Sequence, residues 1–231
     1  SRTTFATGWA AVKAANNLVK ELKDRLSLIW EIDSEEIKFE NGTFSSRSDS
    51  ALSMSFKELV KKLDGTGGPV SAVGSVDLDS SSHGFATHVV DLEIDSETGK
   101  TDVIRYTASQ DVGKAIHPSY VEGQIQGGVA QGIGWALNEE YFIDKKGKML
   151  NSSYLDYRMP TSLDLPMIDT ILVENENPEH PFGVRGVGEV PICPPLGAIS
   201  NAIFDATGIR FQDLPMKPSV IMEALSRLKK R

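Results

Sequence analysis

The sequence predicts an α+β fold of mixed hairpin sheets with packed helices. Three observations carry this. Apolar residues recur at three-and-four spacing in several long segments, β-rich runs come in pairs joined by short turn sequences, and the two kinds of segment are segregated rather than alternating as strand–helix units. The 231 residues suffice for one large or two small domains with a sizeable core.

The elements follow in chain order. Trp9, Val12, Ala15, Leu18, Val19, Leu22 and Leu26 mark a helix over residues 7–30, with Lys20, Lys23 and Arg25 on the other face. Residues 37–44 alternate around Asn41-Gly42, a strong short hairpin signal. A short helix over 55–63 is capped by Ser55 with Glu58 three residues on, a capping-box pattern, and stops at the glycine-rich stretch 65–69. Residues 76–84 read as a polar loop, with Ser80-Ser-Ser82 as its flexible part. Runs 85–94 and 101–107 form a hairpin across residues 95–100. A helix is expected over 118–139, a hairpin over 141–150 turning at 145–148, and a strand over 168–173. Helices over 194–206 and 218–230 complete the chain. The whole reads as one domain, 1–231, with a boundary between two sub-lobes expected near 107–118.

Composition narrows the function classes. A formal charge of −8 and a pI near 5.1 argue against a bulk nucleic-acid binder. No apolar run approaches the roughly 20 residues that span a bilayer. One cysteine, Cys193, excludes an internal disulfide framework, a cysteine-ligated zinc site and an iron–sulfur cluster held by this chain alone. It is expected as a small buried hydrophobe, in a cytoplasmic protein. His83, His88, His117 and His180 are scattered, so no protein-ligated metal is expected. The chain opens on Ser-Arg-Thr-Thr with no initiator Met and no signal peptide, and is expected to be a segment of something longer.

Two stretches carry chemistry. Between 123 and 134 an apolar stripe of Ile125, Val129 and Ile133 coexists with five glycines. At about 1 kcal/mol each relative to Ala, these cost helix propensity on the order of 5 kcal/mol. Either tight helix packing or close approach of a rigid ligand offsets that. Gln124 and Gln131, seven apart, fall on nearly the same face beside Gly127 and Gly128, and their amides suit a heterocycle or a phosphate. The second stretch is Gly183-Val-Arg-Gly-Val-Gly-Glu189, ahead of a proline-rich helix start. Glu189 is either a solvated loop acid or a general base whose glycine and apolar neighbours desolvate it and raise its pKa. Neither stretch is a G-x-G-x-x-G or G-K-[ST] phosphate loop.

Together these residues resemble the molybdenum hydroxylases, the xanthine dehydrogenase and aldehyde oxidase family. The resemblance rests on Ser1-Arg-Thr-Thr4 opening a helix, Asp111-Val-Gly113 followed by Pro118, Gly123-Gln124-x-x-Gly127, Gln131-Gly132, Tyr157 and Pro160, and Gly186-Val-Gly188-Glu189 before the prolines. It spans nearly the whole chain and implies the C-terminal part of a molybdopterin-binding subunit of xanthine dehydrogenase type.

Carried over residue by residue, it makes Glu189 the catalytic glutamate, a general base during hydroxylation of an electron-poor carbon with water as oxygen source. It makes Gln124 a pterin contact, with Gly123, Gly127 and Gly188 around the cofactor and Ser1 and Thr3 in a polar loop that also holds it. No protein atom need ligate molybdenum in this family. The implied cofactor is molybdenum–molybdopterin in the cytosine dinucleotide form. Iron–sulfur and FAD groups are expected in partner chains, and an N-terminal molybdopterin domain is expected upstream, in an oligomeric parent. Arg185, next to the catalytic loop, resembles purine-oxidising members more than carbon monoxide dehydrogenases, which implies xanthine or a related purine as substrate and a place in purine catabolism. An aldehyde oxidase or carbon monoxide dehydrogenase subunit, or a non-catalytic assembly module of the same fold, are the competing readings. The fragment alone is expected to be inactive.

Overall fold

Helix α1 (Gly8–Trp30) follows from the three-and-four spacing, which sets Leu22 and Leu26 fully inside. A π-helical turn, Thr3–Thr7, runs into it from the N-terminal side. The structure, a computed structural model, describes residues 2–77 and 83–228. The chain divides into two compact units, Arg2–Ser81 and Ser82–Arg231.

In the first unit, β1 (Ile37–Glu40), β2 (Thr43–Ser46) and β3 (Ser53–Ser55) form an antiparallel meander. Asn41 and Gly42 both take positive φ, 49° and 76°, as a two-residue hairpin loop with the twist of its strands requires. Helix α2 (Phe56–Val60) is shorter than expected. Its capping box is complete: Ser55 Oγ accepts from Glu58 N, and Glu58 Oε2 accepts from Ser55 N at 2.9 Å. A short 3-10 turn, Leu63–Thr66, follows. Leu22, Leu26, Ile37, Phe44, Leu59 and Leu63 make the core.

In the second unit, β4 (Ala86–Ile94) and β5 (Thr101–Asp111) pair antiparallel with a bulge at Asp91/Leu92. β6 (Ile168–Val173) adds to β5 in parallel, Tyr106 opposite Ile168. Helices α3 (Pro118–Leu137) and α4 (Pro194–Thr207) pack on each other, α4 covers β4, and α5 (Pro218–Leu228) ends the described chain. Tyr106, Ala108, Ile125, Val129, Ile133, Ile199, Ile203 and Ile221 are fully or almost fully buried together. The α+β class holds.

Several expectations need correcting. The hairpin over 141–150 is present but short, with a single bridge of Ile143 with Met149, because the Asn151 side chain takes Phe142 N and Glu140 O where further strand pairing would lie. The division between units falls after Ser81, while 107–118 lies wholly inside the second unit. There β5 continues to Asp111, and Val112 and Ala115 enter the core. Of the polar loop 76–84, residues 78–82, including Ser80-Ser-Ser82, lie outside the described residues.

Candidate active site

Helix α3 starts at Pro118, whose missing N–H costs nothing in a first turn, and its glycines divide between two jobs. Gly128, Gly132 and Gly134 are buried. A Cβ on Gly128 would stand 2.9 Å from Pro191 Cβ, one on Gly132 2.6 Å from Pro195 Cγ, and one on Gly134 2.6 Å from Pro160 Cδ. These three are tight packing against Pro191, against Pro195 in the first turn of α4 and against Pro160. Gly123 and Gly127 are exposed, and a Cβ on either would meet nothing within 4 Å. The packing reading of the glycine-rich helix thus holds for Gly128, Gly132 and Gly134, while Gly123 and Gly127 are left with open space beside them.

The segment after β6 returns alongside the end of β5. Gly113 bridges Val184, and Lys114 N donates to Gly183 O at 2.8 Å. Val187 turns inward and Glu189 outward. The result is a cleft of about 450 Å³ lined by Gln124, Gly127, Gly128, Gln131, Gly188, Glu189, Ile192 and Cys193. Four predicted site residues, Gln124, Gly127, Gly188 and Glu189, are thus brought together, with Gly123 exposed one residue before Gln124. Thr3 belongs to the other unit, exposed in its π-helical turn, and Ser1 lies outside the described residues.

Three expectations about this region change. Glu189 is exposed, so the desolvation expected from its neighbours is not supplied by this chain: Gly186 and Gly188 offer no side chain and Val187 points away. Cys193 is exposed on the cleft wall, because Pro191 and Pro195 on either side of it take the buried positions. Arg185 does not face an open site. It pairs with Asp111 Oδ2 at 3.2 Å and donates to Asn175 O and His83 O.

The motif residues Tyr157 and Pro160 dock on the C-terminal end of α3. Tyr157 Oη donates to Glu139 Oε2 at 2.7 Å, and that hydrogen bond, with some desolvation, pushes the phenol up to about 12. A second cleft of about 440 Å³, lined by Gln131, Trp135, Glu139, Tyr141, Tyr157 and Leu214 among others, adjoins the first through Gln131 and Ile192. Sequence reasoning missed Cys193 and Ile192 as cleft walls. The only available signal was that they directly precede the predicted start of α4.

No group of three or more His, Cys, Asp or Glu side chains that could hold a metal occurs among the described residues. What the cleft offers instead is an open helix backbone at Gly127, two exposed amides and one carboxylate. Amides that both donate and accept, beside a helix with no side chain in the way, fit the edge of a polar fused heterocycle.

Comparison with known proteins agrees. The molybdopterin cofactor-binding domain family matches residues 1–166, well over half of the chain. This chain belongs to that family, within the molybdenum hydroxylases. It is 39% identical over 158 residues to a xanthine dehydrogenase molybdenum-binding subunit of Escherichia coli O157:H7, covering 68% of this chain and 21% of that one. It is 30% identical over 241 residues to the gamma subunit of the 6-hydroxypseudooxynicotine dehydrogenase complex of Paenarthrobacter nicotinovorans, covering all of this chain and 30% of the relative. In structure it superposes on a Cu,Mo-containing CO dehydrogenase with a TM-score of 0.85 at 25% identity, over 99% of this chain and 30% of that one. The molybdopterin-binding domain described here therefore spans less than a third of the length of these relatives. No described helix is long and apolar enough to cross a membrane.

Proposed function

We propose that this domain is the C-terminal part of the molybdenum-binding subunit of a cytoplasmic hydroxylase that oxidises an N-heterocycle, in first place a purine, with water as oxygen source. The observation that carries the reading is the convergence of Gln124, Gly127 and Glu189 on one cleft. When bound, molybdenum–molybdopterin, in its cytosine dinucleotide form, supplies the two-electron oxidation. The chain's own residues do the rest. Gln124 pairs its amide with the polar edge of the pterin, Gly123, Gly127 and Gly188 leave room for the ring system, and Glu189 accepts a proton as the new carbon–oxygen bond forms.

The opposite wall of the site comes from an upstream molybdopterin domain, and Ser1 and Thr3 are further contacts to the cofactor. That wall also supplies the dry surroundings that Glu189 lacks in this chain. Iron–sulfur and FAD groups in partner chains of an oligomeric parent take the electrons away. The purine preference rests on the 39% identity to a xanthine dehydrogenase subunit. It no longer rests on Arg185, whose guanidinium is committed to Asp111.

The test is Glu189→Gln in the parental enzyme, with molybdenum content measured alongside turnover of xanthine and of an aldehyde. An amide keeps the size of the side chain but cannot take the proton. Turnover should fall by at least about a hundredfold with molybdenum retained. Turnover within about tenfold of wild type removes the general-base role. A folded, complete parent without molybdenum would leave the assembly-module reading instead.

A further inference from the structure

We infer that Arg185, through its ion pair with Asp111, is a positioning residue for Glu189: it clamps the strap that carries the carboxylate to the end of β5. This rests on the reading of Glu189 as the base. The pair is well sheltered, with 13% and 8% of the two side chains exposed. Its geometry is that of a hub. Arg185 Nε lies 3.2 Å from Asp111 Oδ2 and donates to Asn175 O at 3.1 Å, while Nη1 reaches His83 O at 3.0 Å. Asp111 Oδ1 accepts from Gly113 N at 3.0 Å, which fixes the carboxylate from behind.

Backbone bonds add to the clamp on the same few residues. Arg185 N donates to Val112 O at 3.2 Å, and Gly113 bridges Val184. At Gly113, with φ +63°, a Cβ would stand 2.9 Å from Arg185 Cγ, so only glycine admits the arginine stem this close. The fixed fork of a guanidinium can serve several acceptors at set angles, which an ammonium cannot. Beyond Arg185, Val187 turns inward before Glu189 emerges into the cleft. Proton transfer in a hydroxylation step depends on where that carboxylate stands, and small displacements are costly. The clamp is therefore one of the fixed points from which Glu189 is placed, with Val187 between them and Pro191 just beyond.

The test uses the full chain and the parental enzyme together. Hydrogen exchange is followed by mass spectrometry over 183–189, with β5 and α4 as references, in wild type, Arg185→Met, Arg185→Lys and Asp111→Asn. Exchange at 186–189 should rise at least about tenfold in the Met and Asn variants with the references unchanged, and Arg185→Lys should fall between. In the parent, the same two variants should lower kcat at least about tenfold with KM within about threefold. Unchanged exchange at 186–189 overturns the inference. So does a uniform rise across the unit in Arg185→Lys as well, which would make the pair a general stabiliser. Loosened exchange with kcat intact, while Glu189→Gln abolishes turnover, also overturns it. If Glu189→Gln itself keeps turnover but the strap loosens locally, the base reading falls and the clamp stands.

Discussion

Gly132 of α3 lies so close to Pro195 that a Cβ there would stand 2.6 Å from the ring Cγ, while a Cβ on Gly127, on the neighbouring turn, would meet nothing within 4 Å. The same residue type is thus required by contact at one position and faces open space at the other. Gly127→Ala should stabilise the chain by about 0.5–1 kcal/mol, because an exposed helix glycine gives up conformational entropy for no packing return. Gly132→Ala should destabilise it by about 1–3 kcal/mol, since a rigid proline ring cannot yield. Chemical denaturation of the two variants checks both signs.

Gly127→Leu extends that contrast to the cofactor. The added side chain projects into the cleft without touching the fold, so the melting temperature should hold while the parental enzyme loses bound pterin and molybdenum. Unchanged cofactor content would mean that the open face of α3 is ordinary surface.

His88 gives a stability prediction with a defined sign. Its Nδ1 is bonded to Tyr106 Oη at 3.0 Å, its Nε2 has no hydrogen-bond partner among the described residues, and burial lowers it to about 4. The unfolded chain, with an ordinary imidazole near 6.5, binds the proton more readily than the folded one. Stability therefore rises with pH across the window from about 4 to 6.5 and is lost as pH falls through it, by about 2 kcal/mol. Denaturation midpoints measured between pH 4 and 7 should show that slope, and His88→Gln should flatten it.

Tyr157 should be among the last tyrosines to ionise in an alkaline absorbance titration, near 12, because its proton is held by Glu139. With the folded value above the ordinary phenol, this bond contributes stability below about pH 10 and loses it as pH rises toward 12. Glu139→Gln should bring the phenol back down.

Cys193, exposed at the cleft wall, should react with a maleimide in the folded chain without denaturant. Loaded cofactor in the parental enzyme should slow that reaction. A thiol that reacts only after unfolding would contradict the exposure described.

Much of the fold was legible because its signals are local. Asn41-Gly42 states its own turn, Ser55 and Glu58 state their own cap, and 168–173 reads as a strand at the observed limits. What was not legible depends on partners distant in the chain. The parallel pairing of β5 with β6 leaves no mark in either strand's pattern. Arg185 could not be assigned to Asp111 from spacing and so was read only as a pointer to a purine substrate. The exposure of Glu189 and Cys193 follows from which neighbours turn inward, Val187, Pro191 and Pro195, and periodicity cannot tell that in irregular backbone. Gln124, Gly127 and Glu189 were singled out through motif order and do line one cleft, whereas the difference between packed and open glycines needed the neighbours of each.

The two-sided character of α3 also bears on how such a domain changes over generations. Positions 124, 127 and 131 can vary without disturbing anything beneath them, whereas 128, 132 and 134 are locked to Pro191, Pro195 and Pro160. A library selected for stability of the fold alone should therefore accept changes on the first set and hold the second constant, while one selected for cofactor content should hold Gln124 and Gly127 as well. One helix thus separates the positions open to the cleft from those that keep its shape.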